Sequence, residues 1–197
     1  MGQYYRAMIK KQNGRITVYN RYVIRNGKPE YMVAKLIEHS WWLNDFVGGV
    51  CLDIYNEKKP VRIAWIGDYA QTFLKRYGKK EFNGLNQQHI YRMTRRCWDC
   101  EGIAVQENDF TLDGLFLINH SKNQYLDCNE YYKNSVMPGE WCFHPLPLLT
   151  CIGNTGEDKI FAKDSTNDYI GAWAWDEISI TEKPIKNYTE IMPVFKV

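Results

Sequence analysis

The chain has 197 residues, 45% of them apolar and 24% charged, with a formal net charge of +2, which are globular values that exclude a mainly disordered chain. It is long enough to bury a core without disulfides or a structural metal, so a single domain over 1–197 is expected. The opening segment MGQYYRAMIKKQ lacks the apolar stretch of about 7 to 15 residues found in signal peptides, and no apolar run approaches the ~20 residues of a membrane span; a cytoplasmic setting without membrane contact is expected, with the six cysteines as reduced thiols.

Residues 3–10 and 15–25 are runs containing Tyr, Ile and Val, separated by Lys11-Gln12-Asn13-Gly14 and followed by Asn26-Gly27. Turn residues between β-prone runs predict antiparallel hairpins, with pairing continued through 31–37, where the alternative is a helical turn over 32–38. The block 32–70 is the expected centre of the fold. Within 43–55 the residues Leu43, Phe46, Val47, Val50, Cys51 and Ile54 follow the spacing of one helix face, and Asn44 and Asp45 suit the free amides of its first turn. Gly48 and Gly49 each weaken that helix by about 1 kcal/mol relative to Ala, which implies close packing there, with Trp41 or Trp42 as the expected neighbour. The composition of 61–66 is that of a buried strand, stopped by Gly67-Asp68.

Short helices are predicted over 71–77 and 85–98. Residues 115–127 read as strand, tight turn and strand, with a helical turn over 128–134. Pro145 and Pro147 punctuate 141–152, which predicts an edge or a buried connection rather than a central strand. Strands are expected over 169–175 and 177–181, then a peripheral tail from about 182. The fold class is α+β: a mainly antiparallel sheet with a few packed helices.

The small net charge hides a strong asymmetry. Residues 1–96 carry 18 Lys and Arg against 7 Asp and Glu, whereas 97–197 carry 7 against 16. Lys75, Arg76, Lys79, Lys80, Arg92, Arg95 and Arg96 face only Glu81 across one stretch, interleaved with Tyr77, Phe82 and Tyr91. Such a patch suits phosphate or nucleic-acid contact; the plainer alternative is a solvated helix face.

Four histidines are present. His39, His120 and His144 each stand where an apolar run hands over to a loop, and His89 lies in the basic stretch. An imidazole near Asp68, Asp127 or Asp176 suits a general base, with Ser40 or Ser121 as nucleophile; the plainer alternative is a hydrogen-bonded structural histidine. The candidate catalytic set is therefore His39, Ser40, Asp68 and His120. No G-x-S-x-G elbow is present. Cys97 and Cys100 have C-x-x-C spacing but no matching second pair, and Cys142-Phe143-His144 is an unusual completion, so neither zinc nor redox chemistry is expected. Gly67-Asp68-Tyr69 and Gly153-Asn154-Thr155-Gly156 match no dinucleotide or P-loop pattern, and no cofactor is expected. Trp173 and Trp175 alternate with Ala172 and Ala174, which on a strand puts both indoles on one face, as core or as a platform for a flat ligand.

Met1-Gly2-Gln3-Tyr4-Tyr5, Lys35-Leu36-Ile37-Glu38-His39-Ser40, Ala64-Trp65-Ile66-Gly67-Asp68-Tyr69-Ala70, Ile118-Asn119-His120-Ser121-Lys122-Asn123-Gln124-Tyr125 and His144-Pro145-Leu146-Pro147-Leu148-Leu149-Thr150 together resemble the signatures of a family of bacterial and phage proteins without an assigned activity. The resemblance spans most of the chain and carries over no catalytic residue. It implies a phage or mobile-element setting, in which inhibition of a host defence enzyme by protein contact is an alternative role.

Three readings follow. The preferred one is a non-enzymatic binding protein that engages an acidic or phosphorylated partner, whether nucleic acid, nucleotide or acidic protein, through the basic first half. The second is a small hydrolase or transferase built on a His/Asp site. The third is an inhibitor that meets a host protein through the acidic second half.

Overall fold

A computed structural model describes residues 4–19, 21–26, 28–32, 34–35, 40–67, 110–137, 141–152 and 169–195. The helices expected over 71–77 and 85–98, the basic stretch 75–96, His39, Asp68, His89, Cys97, Cys100 and the loop at 153–158 lie outside them.

The architecture is α+β and dominated by a mostly antiparallel sheet. Its strands are β1 (Tyr4–Lys10), β2 (Ile16–Tyr19), β5 (Ala34–Lys35), β6 (Val61–Gly67), β7 (Phe116–Asn119), β8 (Gln124–Asp127), β9 (Cys151–Ile152), β10 (Glu177–Thr181) and β11 (Thr189–Glu190); β3 (Arg21–Arg25) and β4 (Lys28–Met32) form a separate hairpin. The helices are α1 (Asp45–Asn56), α2 (Cys128–Ser135) and α3 (Pro145–Thr150). Among the described residues the main order is β11-β8-β7-β10-β6-β1-β2, with β5 on β1 and β9 on β6. Two of these pairings run parallel, β6 with β9 and β8 with β11.

Strands β1 and β6 are covered on both faces, which explains their near-continuous apolar sequences. Tyr5, Ala7 and Ile9 with Val61, Ile63 and Trp65 enter the larger core; Met8 with Ala64 and Ile66 enters a smaller cluster on the other face. Strand alternation thus separates two cores with one sheet between them.

Helix α1 closes the larger core. Asn44 stands extended ahead of it, and its side-chain oxygen accepts from the amides of Phe46 and Val47 at 3.1 Å, satisfying two donors that have no partner within the helix. Phe46, Val47, Val50, Cys51 and Ile54 are buried as their spacing predicts, with Phe46 edge-on to Trp65. Leu43, expected on the same face, is 78% exposed. The extended backbone of the cap breaks the helical spacing before it reaches Leu43. Trp41 stacks on Phe143, and Trp42 packs with Tyr131, Tyr132 and His144.

Two segments take forms that composition and alternation do not specify. Within 141–152 the run PLPLLT forms the buried helix α3, because first-turn amides need no helical acceptor and proline there sacrifices nothing. Residues 169–175, expected as a strand, form successive turns: Ala172 donates to Tyr169, Ala174 to Gly171 and Asp176 to Trp173. Gly171 and Trp175 take positive φ, +69° and +63°, and a chain that turns at both points cannot hold a ladder. Trp173 consequently enters the larger core and Trp175 the smaller one, on opposite faces of the sheet rather than one.

Residues 182–190 are mostly exposed, whereas the chain around 189–195 meets the sheet and the core. Thr189 and Glu190 pair with β8, Ile191 and Phe195 are buried, and Phe195 packs edge-on to Tyr131.

Candidate functional site

His120 sits just past the end of β7, where the pairing of Asn119 with Ile178 sets it beside β10. Its amide donates to the Glu177 carbonyl at 2.8 Å. On the ring, Nε2 lies 2.8 Å from Ser179 Oγ, and Nδ1 lies 3.4 Å from the Tyr188 hydroxyl. Partial burial pulls the imidazole below its usual proton affinity, while the Glu177 carboxylate opposes that shift.

The turn that follows is fixed to the segment before β10. Ser121 Oγ accepts from the Glu177 amide at 2.9 Å, Asn119 Nδ2 donates to Asp176 Oδ2 at 2.8 Å, and Lys122 Nζ lies 3.0 Å from the same oxygen. Asn119 is fully buried, so its two polar atoms need these partners; its oxygen accepts from the Lys122 amide. Glu177 in turn meets Arg62 at 3.4 Å, a bond between the basic and the acidic halves of the chain.

Polar residues at the ends of apolar runs come together at one point. The Ser40 carbonyl accepts from the His144 amide at 2.8 Å, joining two of them through backbone. Ser40 is fully buried. His144 Nδ1 accepts from the Leu146 amide at 3.2 Å as the cap of α3, and Nε2 lies 3.6 Å from Cys51 Sγ. Burial lowers the imidazole to about 3 and raises the Cys51 thiol well above its ordinary value. This neutral pair inside the core is unlike a thiolate–imidazolium couple, which needs a depressed thiol in a polar, reachable setting.

His120 is elsewhere. Its hydroxyl partner is Ser179 rather than Ser40 or Ser121, because the turn directs Ser121 to the Glu177 amide. Trp173 and Trp175 offer no stacking platform, being 0% and 1% exposed. The Trp173 indole N–H donates to Gln124 at 2.9 Å. Cys51, Cys128, Cys142 and Cys151 are free, buried thiols; among the described residues no cluster of three or more His, Cys, Asp or Glu could hold a metal ion, and no helix is long and apolar enough to cross a membrane.

A second polar assembly lies at the end of the sheet formed by the β1–β2 turn and the α1–β6 connection. Gln12 donates to the Pro60 carbonyl at 3.0 Å. Lys11 bridges Asp53 and Glu57, and the Tyr19 hydroxyl donates to Asp53. These acceptors raise Lys11 against the opposing effect of burial. Lys10 stands opposite Arg62 across β1 and β6, while Arg15, Lys58 and Lys59 are exposed on the adjoining turns. In the sequence the basic patch is evident only at 75–96. This second cluster is hidden there because its members are dispersed over 10–62 and meet only through strand pairing.

Comparison with protein-family models, curated proteins and solved structures finds no match.

Proposed function

We propose that the chain is a binding protein that engages an acidic or phosphorylated partner through the basic surface of its first half. One observation carries this reading: Lys10, Lys11, Arg15, Lys58, Lys59 and Arg62 come from two turns and two strands to one end of the sheet. Asp53 and Glu57 balance Lys11 there, and Glu177 balances Arg62. Among the described residues Lys10, Lys58 and Lys59 enter no ion pair, which leaves net positive charge at that end. Lysines on turns supply compact charges for phosphate without fixing a sequence of bases. The stretch at 75–96 adds seven more basic side chains to the same half.

The test is fluorescence anisotropy of a labelled single-stranded oligonucleotide, titrated with the full chain at several salt concentrations. Binding that weakens linearly on a log–log plot against salt supports the reading, because each neutralised phosphate releases condensed counterions, with a slope of about −0.7 per phosphate. Absence of binding at low salt to oligonucleotide, nucleotide and an acidic polypeptide alike contradicts it.

A further inference from the structure

We propose that Ser179 is a nucleophile activated by His120, able to accept the acyl group of a small aryl ester. This goes beyond the binding reading: the pair lies on β10 and just past the end of β7, and it meets the basic end of the sheet only through Glu177 and Arg62.

Four observations carry the proposal. The first is the 2.8 Å contact between Ser179 Oγ and His120 Nε2, the reach that general-base activation of a hydroxyl requires. The second is the Tyr188 hydroxyl on the far ring nitrogen at 3.4 Å. With the proton on Nδ1 and donated to that oxygen, Nε2 is left as the acceptor facing serine. The third is Glu177, which favours a positive charge on His120 and is itself held by Arg62; it stabilises the imidazolium that forms when serine loses its proton. The nearby Lys122 is balanced by Asp176. The fourth is the face on which Ser179 stands. Register places Ser179 across from Ile118, and Ile118 across from Tyr125, so that Ser179, Tyr125 and, two residues along, Phe116 share one side of the sheet. Phe116 and Tyr125 meet edge to face at 6.0 Å, and Tyr188 meets His120 in the same manner. Both Phe116 and Tyr125 are only half-buried, which offers aromatic contact to an aryl leaving group.

In the acylation step Ser179 Oγ forms a bond to the carbonyl carbon, the ester C–O bond breaks, and the serine proton passes to His120 Nε2 and then to the departing phenolate. Water, deprotonated by the same nitrogen, then releases the acid and restores the serine.

A fluorophosphonate probe tests this on the full chain, because it stops at the first step: Oγ bonds to phosphorus, the P–F bond breaks, fluoride leaves and His120 takes the proton. The expected result is one adduct per chain, mapped by mass spectrometry to the peptide containing Ser179 and absent in Ser179→Ala. Labelling should slow about a hundredfold in His120→Gln, and Tyr188→Phe should slow it less. No adduct on the folded chain, an adduct unchanged by Ser179→Ala, or wild-type labelling rates in His120→Gln overturns the proposal. Should His120→Gln fail to melt cooperatively, the pH profile of the unmodified chain decides. A rate that rises with deprotonation of a single group below the ordinary histidine range supports the proposal, and a rate that shows no such rise at any pH where the chain stays folded overturns it.

Discussion

The amide of Trp175 donates to the carbonyl of Ile63 at 2.7 Å, at the point where β6 changes neighbours. Its first residues, Val61 and Arg62, pair with β10, whereas Trp65 and Ile66 pair with β9 in parallel. Between them the turns at 169–175 fill the fork, with Gly171 and Trp173 donating to the Leu148 and Leu149 carbonyls of α3.

Gly171 is the residue on which that fork depends. Its φ is +69°, and a Cβ added there would stand 2.5 Å from the Cys151 carbonyl oxygen. The obstructing atom is backbone of Cys151, which cannot swing aside as the end of a flexible side chain could. Gly171→Ala should therefore destabilise the chain by more than the ~1 kcal/mol expected of a positive-φ glycine alone, read as a lower midpoint in urea unfolding with an unchanged slope.

Asn44 caps α1 with two accepted bonds. Asn44→Ala removes both and should lower stability by about 1 kcal/mol, while Asn44→Asp retains the acceptor and adds charge at the favourable end of the helix dipole. Thermal melting of the two variants checks the order: Asp near wild type, Ala below it.

How far the sequence discloses these features depends on how local their causes are. The apolar face of α1 is legible because its burial follows helical period, and the strand at 61–67 because it is apolar and β-branched. Leu43 departs from that face because the start of α1 is set by the side-chain bonds of Asn44. The alternation Ala172-Trp173-Ala174-Trp175 imitates a strand, and only contacts with α3 and β6 reveal turns. Proline in PLPLLT resembles a breaker, yet it stands where a helix begins. His120 stands out in the sequence, but Ser179 is 59 residues away and is brought to it by strand register, for which no adjacent residue gives a signal.

His144 should govern part of the acid sensitivity. Its proton affinity falls to about 3 in the fold from about 6.5 in the unfolded chain. The unfolded state therefore binds a proton that the folded state refuses between those two values. Stability is full above about pH 6.5 and should fall as pH drops toward 3, by up to about 1.4 kcal/mol per pH unit from this group. His144→Asn keeps an acceptor for the Leu146 amide and removes the titration. Its urea midpoint, measured from neutral to acidic pH, should decline less steeply than that of wild type.

Net positive charge at the β1–β2 and α1–β6 turns is proposed to meet an anionic partner. The most direct measurement compares wild type with Lys58→Glu/Lys59→Glu by oligonucleotide anisotropy at about 50 and about 200 mM salt. Both lysines are exposed, so the variant should keep the melting temperature of wild type. The variant should bind more weakly at low salt, with a log–log salt slope shallower by about 1 to 2, in proportion to the phosphates that it no longer neutralises. Equal affinity and an equal slope in the two proteins would contradict it.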